Sequence, residues 1–456
     1  MSYSTRHLHL NLFLTGAGHH PAAWRHPSVA PQRLLQLDYV TELARLAESA
    51  KLDAIFFNDR LGNRSQQPFS LIGHFESFTL LAALAVRTQK IGLIASASTI
   101  YNQPYHVARK LASLDYLTGG RAAWSIRPSR GEDEAHNYGL DEIPSHEVRD
   151  ERTREFVSVV KDLWDSWEDE AVVRGEGFKL RTDPTKVRPI DHVGTHFQVA
   201  GPLNIPRPIQ GHPVLAQNYT GESEDFGASL HAELFFTQPQ SLDEALLLSE
   251  KLRSRLDALE RETQHTRVFA ALDFTLGETT AAAQSKRAEL DAFLAPSHGV
   301  ARLSELLKLD LSRVPLDEPL APPLAHAARQ ANGSLGDAAE LAALHGVTLR
   351  DLATRLAPSR RPQGFVGTPA ELADHIEDWF SSGAVDGFNL RPALLPSDLQ
   401  LFAEAVVPEL QRRGLFRTDY EGDTFREHLG LPRPTNGFVA LAALRGITPA
   451  KPLEFV

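Results

Sequence analysis

Apolar residues along this chain follow two spacings that alternate from one end to the other. Short apolar runs bounded by polar residues, such as Ile91–Ala97 and Ala122–Ile126, are too brief for helices and read as buried strands. Between them Val107, Leu111, Leu114 and Leu117 recur at helical spacing, and Gly119-Gly120 supplies a left-handed stop. A strand, loop, helix and strand in this order form a crossover unit, which sets two strands parallel in one sheet. Function in such sheets collects at the carboxyl ends of the strands, here Ser98–Tyr105 and Ser125–Ser129.

The alternation extends in both directions. Upstream, His9–Thr15 and Leu52–Phe57 read as strands, and Gln36–Ala50 and Glu76–Arg87 as helices. Downstream, the long polar section Arg127–Asp150 is either a binding loop with short helices or a cover over the site. Glu151–Trp167 follows as the clearest helix, its Phe156, Val160, Leu163 and Trp164 forming a core face. Residues 168–212 are rich in Gly and Pro and hold little more than a hairpin around His196–Val199. Further strands are Pro213–Gln217, Ala232–Thr237, Arg267–Leu276 and Val385–Leu390, with helices over Ser241–Leu259, Thr280–Leu294 and from Pro369.

Eight strands near residues 10, 54, 93, 124, 215, 234, 271 and 388, with helices between, predict an α/β fold: a (β/α)8 TIM barrel with insertions. The chain reads as a single domain over 1–456, with a helical insertion at about 296–362 and a tail at about 417–456 assigned to subunit contacts. An open dinucleotide-binding sheet would carry a third glycine after its first turn. Here Gly16-Ala17-Gly18 runs into His19 and His20 instead.

Composition narrows the chemistry. Cysteine is absent, which removes disulfides, thiolate nucleophiles and cysteine-bound metals. The formal charge of −11 leaves no basic footprint for nucleic acid. With no signal peptide and no long apolar stretch, the expected place is the cytoplasm, away from any membrane. Candidate chemistry therefore rests on His19 and His20 after the first strand and on Asp59 after the second, which either meets a ligand or caps the next segment. Arg25, Arg109, Arg127 and Arg130 stand near strand ends as possible carboxylate or sulfonate receivers. Glu132-Asp133-Glu134 reads as a solvated loop, and His7 and His9 as partly exposed.

Several pieces look familiar in order. Gly18-His19-His20, Ala23-Trp24-Arg25, Phe56-Phe57-Asn58-Asp59-Arg60, Ser98-Thr99, Tyr101-Asn102, Pro104-Tyr105-His106 and Leu163-Trp164-Asp165 are among them. So are Pro189-Ile190-Asp191-His192, Gly201-Pro202-Leu203-Asn204, Gly367-Thr368-Pro369 and Asp386-Gly387-Phe388-Asn389-Leu390. Together, from about residue 8 to residue 434, they resemble the nitrilotriacetate and dibenzothiophene-sulfone monooxygenase branch of the bacterial luciferase-like flavin monooxygenase superfamily.

The resemblance implies a barrel in a homodimer or homotetramer. It also implies a two-component enzyme that takes reduced FMN from a separate NAD(P)H:flavin reductase by diffusion. With O2, such an enzyme inserts one oxygen atom into a small organic substrate, and it holds no metal. By family position His19 and His20 are catalytic, beside the flavin ring. Asp59, Ser98, Thr99, Asn102, Ser125, Tyr138, Asn218 and Gly221 are cofactor-binding, and Trp24, Arg25, Tyr105 and Arg127 are substrate-binding.

Departures cluster at the FMN phosphate. Where the family carries Asn and then Thr after the fourth strand, this chain has Ser125 and Pro128; where a Tyr helps to hold the phosphate, it has Asp150. The phosphate turn Gln-Ala-Gly-x-Ser-x-x-Gly is replaced by Gln217-Asn218-Tyr219-Thr220-Gly221-Glu222-Ser223-Glu224. A phosphate cradle needs close backbone N–H groups and no negative charge. A carboxylate about 6 Å from the dianion costs roughly 3 kcal/mol per charge pair at an effective dielectric near 20. An alternative expectation therefore stands beside the first: a divergent member with a weakened or lost FMN site and possible loss of the cofactor. Such a member acts as a flavin-independent acid-base enzyme through His19, His20 and Asp59 or Glu132, or as a small-molecule-binding paralogue.

Overall fold

The computed structural model describes residues 6–62, 75–174, 180–221, 230–294, 296–330, 346–356 and 364–445. Eight parallel strands close into a barrel: β1 (His9–Phe13), β2 (Ala54–Phe57), β3 (Gly92–Ser98), β4 (Ala122–Arg127), β5 (Val214–Asn218), β6 (Leu234–Thr237), β7 (Arg267–Leu276) and β8 (Gly387–Pro392). Neighbours run in chain order from β1 to β7, and β8 sits between β7 and β1, with His9 opposite Gly387 and Phe269 opposite the same glycine. A short ninth strand, Phe365–Gly367, pairs outside β7.

The strands obey the expected two-residue period. Leu10, Leu12, Leu272 and Leu390 face outward and pack with helix residues such as Leu43 and Ile376 in the main core. The inward set includes Phe56, Ile94, Ala216, Leu234, Phe236 and Phe269, which fill the lower barrel. Helices obey their local signals too. Pro104–Thr118 opens on proline and closes at Gly119 with φ of 70°, and Pro369–Ser381 carries a Thr368/Glu371 capping box. The clear helix starts at His146, five residues before the Glu151 start its pattern predicts, because Ser145 caps a first turn of polar residues.

Two long connections decorate the barrel. The one after β4 holds a short helix, Glu132–Asn137, and two hairpins, Val172–Arg174 with Leu180–Thr182 and His192–Val193 with Gln198–Val199. After β7, helices Pro296–Leu307, Pro322–Gln330 and Leu349–Leu356 gather a small core of their own around Leu303, Leu324, Leu349 and Leu352.

The C-terminal tail closes the amino-terminal end of its own barrel. Phe425, Leu429 and Leu431 join the interior cluster, and Gly92 makes room for the Phe425 ring, which a Cβ would meet at 2.5 Å. Arg426, almost fully buried, donates to both Glu233 oxygens and to the His212 carbonyl at 2.9 Å. Arg417 pairs with Asp53, which also accepts from His9 Nδ1 at 2.8 Å and from Leu10 N at 2.7 Å. His9 is therefore a buried interior residue, 5 % exposed and stacked on Phe269, not the partly exposed one its sequence position suggests. With the floor sealed, a ligand enters through the carboxyl-terminal mouth.

Candidate active site

The mouth is built where the loops after β1 and β8 are laced together. His19 N donates to Pro392 O at 2.8 Å and His20 N to Ala393 O at 3.1 Å. Gly18 permits this approach: its φ is +123°, and a Cβ there would run into the Ala393 carbonyl. Gly18→Ala is expected to lower stability by about 1–3 kcal/mol and to shift His19, seen as a reduced urea midpoint together with reduced turnover.

The two histidines do different things. His19 sits edge-on to Phe13, with ring centroids 4.7 Å apart, and Arg391 Nε donates to its Nδ1 at 3.3 Å. A guanidinium only donates, so Nδ1 is the acceptor and Nε2 carries the proton, which it gives to Phe13 O at 2.8 Å. His20 is buried, and its Nδ1 accepts from Ala22 N while Nε2 donates to Asp291 Oδ1 at 2.9 Å. Burial acts to raise the Asp291 carboxyl, but His20 and Arg287 outweigh it and hold the group below its ordinary value. His20 thus ties the β1 loop to the helix Thr280–Ala292.

On the β2–β3 side the polar residues mostly brace one another. Asp59 accepts from Ser77 N at 3.1 Å, at the start of the helix Ser77–Ala85. Ser98 Oγ receives Ile100 N at 3.1 Å, Tyr101 N at 3.2 Å and Ser129 Oγ at 2.9 Å, and its carbonyl receives Asn102 Nδ2 at 2.9 Å. Thr99 Oγ1 bonds Thr153 Oγ1 at 2.7 Å across to the helix His146–Asp165. These residues hold the shape of the loop. What they hold out is Tyr101, stacked on Tyr138 with centroids 4.5 Å apart and planes 11° from parallel. The Tyr101 hydroxyl is enclosed without a partner among the described residues, and burial, with Glu134 nearby, raises its pKa.

Arg127 and Glu134 form the next piece of wall. Arg127 Nη2 donates to Glu134 Oε1 at 3.2 Å, leaving Arg127 Nη1 and Glu134 Oε2 enclosed and unpaired among the described residues. The acidic triplet is therefore not a solvated loop: it opens the helix Glu132–Asn137, and Glu134 is only 3 % exposed. Beside this pair lies a cavity of about 360 Å³ at the ends of β4, β5 and β6, edged by Arg127, Ser129, Arg130, Asn218, Thr220 and Gln238. Ser125 is buried one step below, between Ser96 and Ala216.

Gly221, the residue after Thr220, adopts a left-handed conformation, φ +83°. Tyr219 also borders the cavity, but it belongs to the buried cluster of Phe235, Leu248, Leu252 and Val268, with its ring 6.4 Å from that of Phe235. Its bulk is accommodated among strand and helix side chains. Asp150 pairs with Arg154 at 3.0 Å, which offsets its charge, while Glu222, Ser223 and Glu224 lie outside the described residues. The cavity edge carries two arginines and the Ser129 and Thr220 hydroxyls against one carboxylate, Glu244, which is engaged by Gln240 N at 2.6 Å, a balance of charge that suits an organic phosphate.

The substrate candidates separate. Arg127 borders the cavity, whereas Arg25 donates to Phe293 O at 2.8 Å and lies over Trp24 at 4.8 Å, beside the post-β7 helix. Tyr105 packs against the cluster around Phe156 and Trp164. Arg391 and Glu134 escaped the sequence reading of the site, while Tyr101 and Ser129 fell within its strand-end stretches without a role of their own. A signal for Arg391 existed, since it places a charge on the inward face of a strand whose Phe388 and Leu390 are outward and apolar. Among the described residues no group of three or more His, Asp or Glu could hold a metal ion, and no helix is long and apolar enough to cross a membrane.

A (β/α)8 barrel sealed at its amino-terminal end, with a cavity at the ends of β4–β6 and His19 at the ends of β1 and β8, has the layout of a barrel enzyme, whose site lies at the carboxyl-terminal mouth. Residues 13–386 match the model of the luciferase-like monooxygenase family, and the chain belongs to that family. It is 39 % identical to N-acetyl-S-(2-succino)cysteine monooxygenase of Bacillus subtilis (strain 168), over 96 % of this chain and 100 % of the relative. To nitrilotriacetate monooxygenase component A of Aminobacter aminovorans it is 38 % identical, over 95 % of this chain and 98 % of the relative. Among solved structures, EDTA monooxygenase from Chelativorans sp. BNC1 superposes with a TM-score of 0.74 at 32 % identity, covering 95 % of this chain and 100 % of that one.

Proposed function

We propose that this protein is the oxygenase component of a two-component system, using reduced FMN and O2 to insert one oxygen atom into a small organic substrate. The observation that carries the reading is the cavity at the ends of β4–β6, with Arg127, Arg130, Ser129 and Thr220 at its edge. These residues would hold the FMN phosphate, and Asn218 would stand beside it. Bound reduced flavin supplies the electrons that activate O2. The protein's own share is to bind, orient and exclude water: the Tyr101–Tyr138 pair walls one side and His19 the other. Family membership and the word "component" in a relative's name support a separate NAD(P)H:flavin reductase that delivers the flavin by diffusion. A cytoplasmic homodimer or homotetramer completes the proposal.

Three relatives named for acids bearing several carboxylates make an organic acid the first substrate class to try. The deciding experiment mixes the purified chain with a flavin reductase, NADH, FMN and a panel of such acids, and follows O2 uptake and product mass. A product heavier by one oxygen, dependent on FMN, is expected. Equal turnover without FMN would remove the flavin from the reading and restore the flavin-independent alternative.

A further inference from the structure

We infer that Arg391 receives an anionic group of the substrate, and that the substrate is a small organic acid. The proposal rests on the monooxygenase reading only in calling the ligand a substrate. Arg391 stands on the inward face at the mouth end of β8, opposite Asp273 on β7, and is 7 % exposed. Its Nε lies 3.2 Å from Asp273 Oδ1 and 3.3 Å from His19 Nδ1, and its guanidinium covers Phe13 at 5.8 Å. Those contacts fix the plane of the group. They leave Nη1 enclosed, with no hydrogen-bond partner among the described residues.

A buried N–H on a cation left unpaired is costly, and a carboxylate is the acceptor that suits a fixed guanidinium fork. One layer lower on the same wall, Asn11 and Asn389 face each other in register, and both amide atoms of Asn11 and Oδ1 of Asn389 are likewise unpaired. Neither adds charge, and His19 is held in its neutral tautomer. Among the described residues Asp273 is the carboxylate paired with the guanidinium, and its side chain keeps 30 % exposure at the rim. The inner wall made by β1, β7 and β8 is thus a polar strip with donors to spare, opposite the cradle assigned to the phosphate. Arg25 is committed to Phe293 O, and Arg127 and Arg130 stand at the cradle across the mouth, Arg127 donating there to Glu134.

The test uses calorimetric titration of the full-length protein with tricarballylate and with N-acetyl-S-(carboxymethyl)cysteine, each beside its methyl ester. Wild type is expected to prefer the acids. Arg391→Met should weaken acid binding by roughly 10–100-fold and leave ester binding unchanged; Arg391→Lys should fall between. Circular dichroism and melting temperature check that each variant is folded. Equal binding of the acids by wild type and Arg391→Met, equal losses for acid and ester, or a wild type with no preference for the acids would each overturn the proposal. Arg391-dependent acid binding without FMN-dependent oxygen incorporation would remove the monooxygenase reading and leave the anion site standing.

Discussion

Asp53→Ala is expected to cost the fold about 3–5 kcal/mol, the range for removing one partner of a buried ion pair. Asp53 has no exposed side-chain surface and serves Arg417, His9 and Leu10 N at once. Its loss strands the Arg417 guanidinium in the barrel floor and unpins the tail that carries Phe425. Urea unfolding followed by tryptophan fluorescence should show the fall in midpoint. The effect also has a pH signature. Burial alone pushes the Asp53 carboxyl up, but Arg417, His9 and the Leu10 N–H outweigh it and hold the group below its ordinary value. A depressed folded value means the contribution is complete above the unfolded pKa, near 3.9, and is lost as pH falls through the folded value. The gap between wild type and Asp53→Ala should therefore be full at neutral pH and close as the pH drops below about 4. A pH-independent gap would mean that the lost charge is not the cause.

That floor marks a boundary of what the sequence discloses. The eight strands were legible because each is a compact apolar run between turn residues, as Ile91–Ala97 is, and a parallel sheet covered on both faces demands such runs. His9 was not legible. Its alternation with Leu8 and Leu10 is the same whether the inward face meets water or a plug, and the plug comes from a tail some four hundred residues away. The hairpin Val172–Arg174 with Leu180–Thr182 was missed because three-residue strands carry too little pattern to read. Site residues divided along similar lines. Motif position brought His19, Asp59, Ser98 and Asn102 to the mouth, but their hydrogen bonds distinguish those that brace loops from those that border space. Ser98 is spent on four neighbours, whereas Tyr101, which it holds in place, keeps an unpaired hydroxyl.

Exchanging His19 for Ala should lower oxygenated product per NADH by about a hundredfold, the scale on which small misplacements act, while NADH oxidation continues and hydrogen peroxide rises. The His19 ring bridges two strand ends: Nε2–H is given to Phe13 O and Nδ1 is taken by Arg391. Removing it opens the mouth between β1 and β8 to water and frees Arg391 to turn toward Asp273 alone. Because both ring nitrogens are engaged, the part assigned to His19 is positioning, and this separates it from a proton-transfer role. His19→Gln keeps one donor and one acceptor, so it should stay within about tenfold of wild type if positioning is the role; a proton carrier would lose as much with Gln as with Ala. His20→Asn offers the contrast. Its bonds run to Asp291 and Ala22 N, away from the cradle, so melting temperature should fall while the ratio of product to peroxide holds. A Gln variant as uncoupled as the Ala variant, with kcat losing its wild-type pH profile, would return His19 to the chemistry itself.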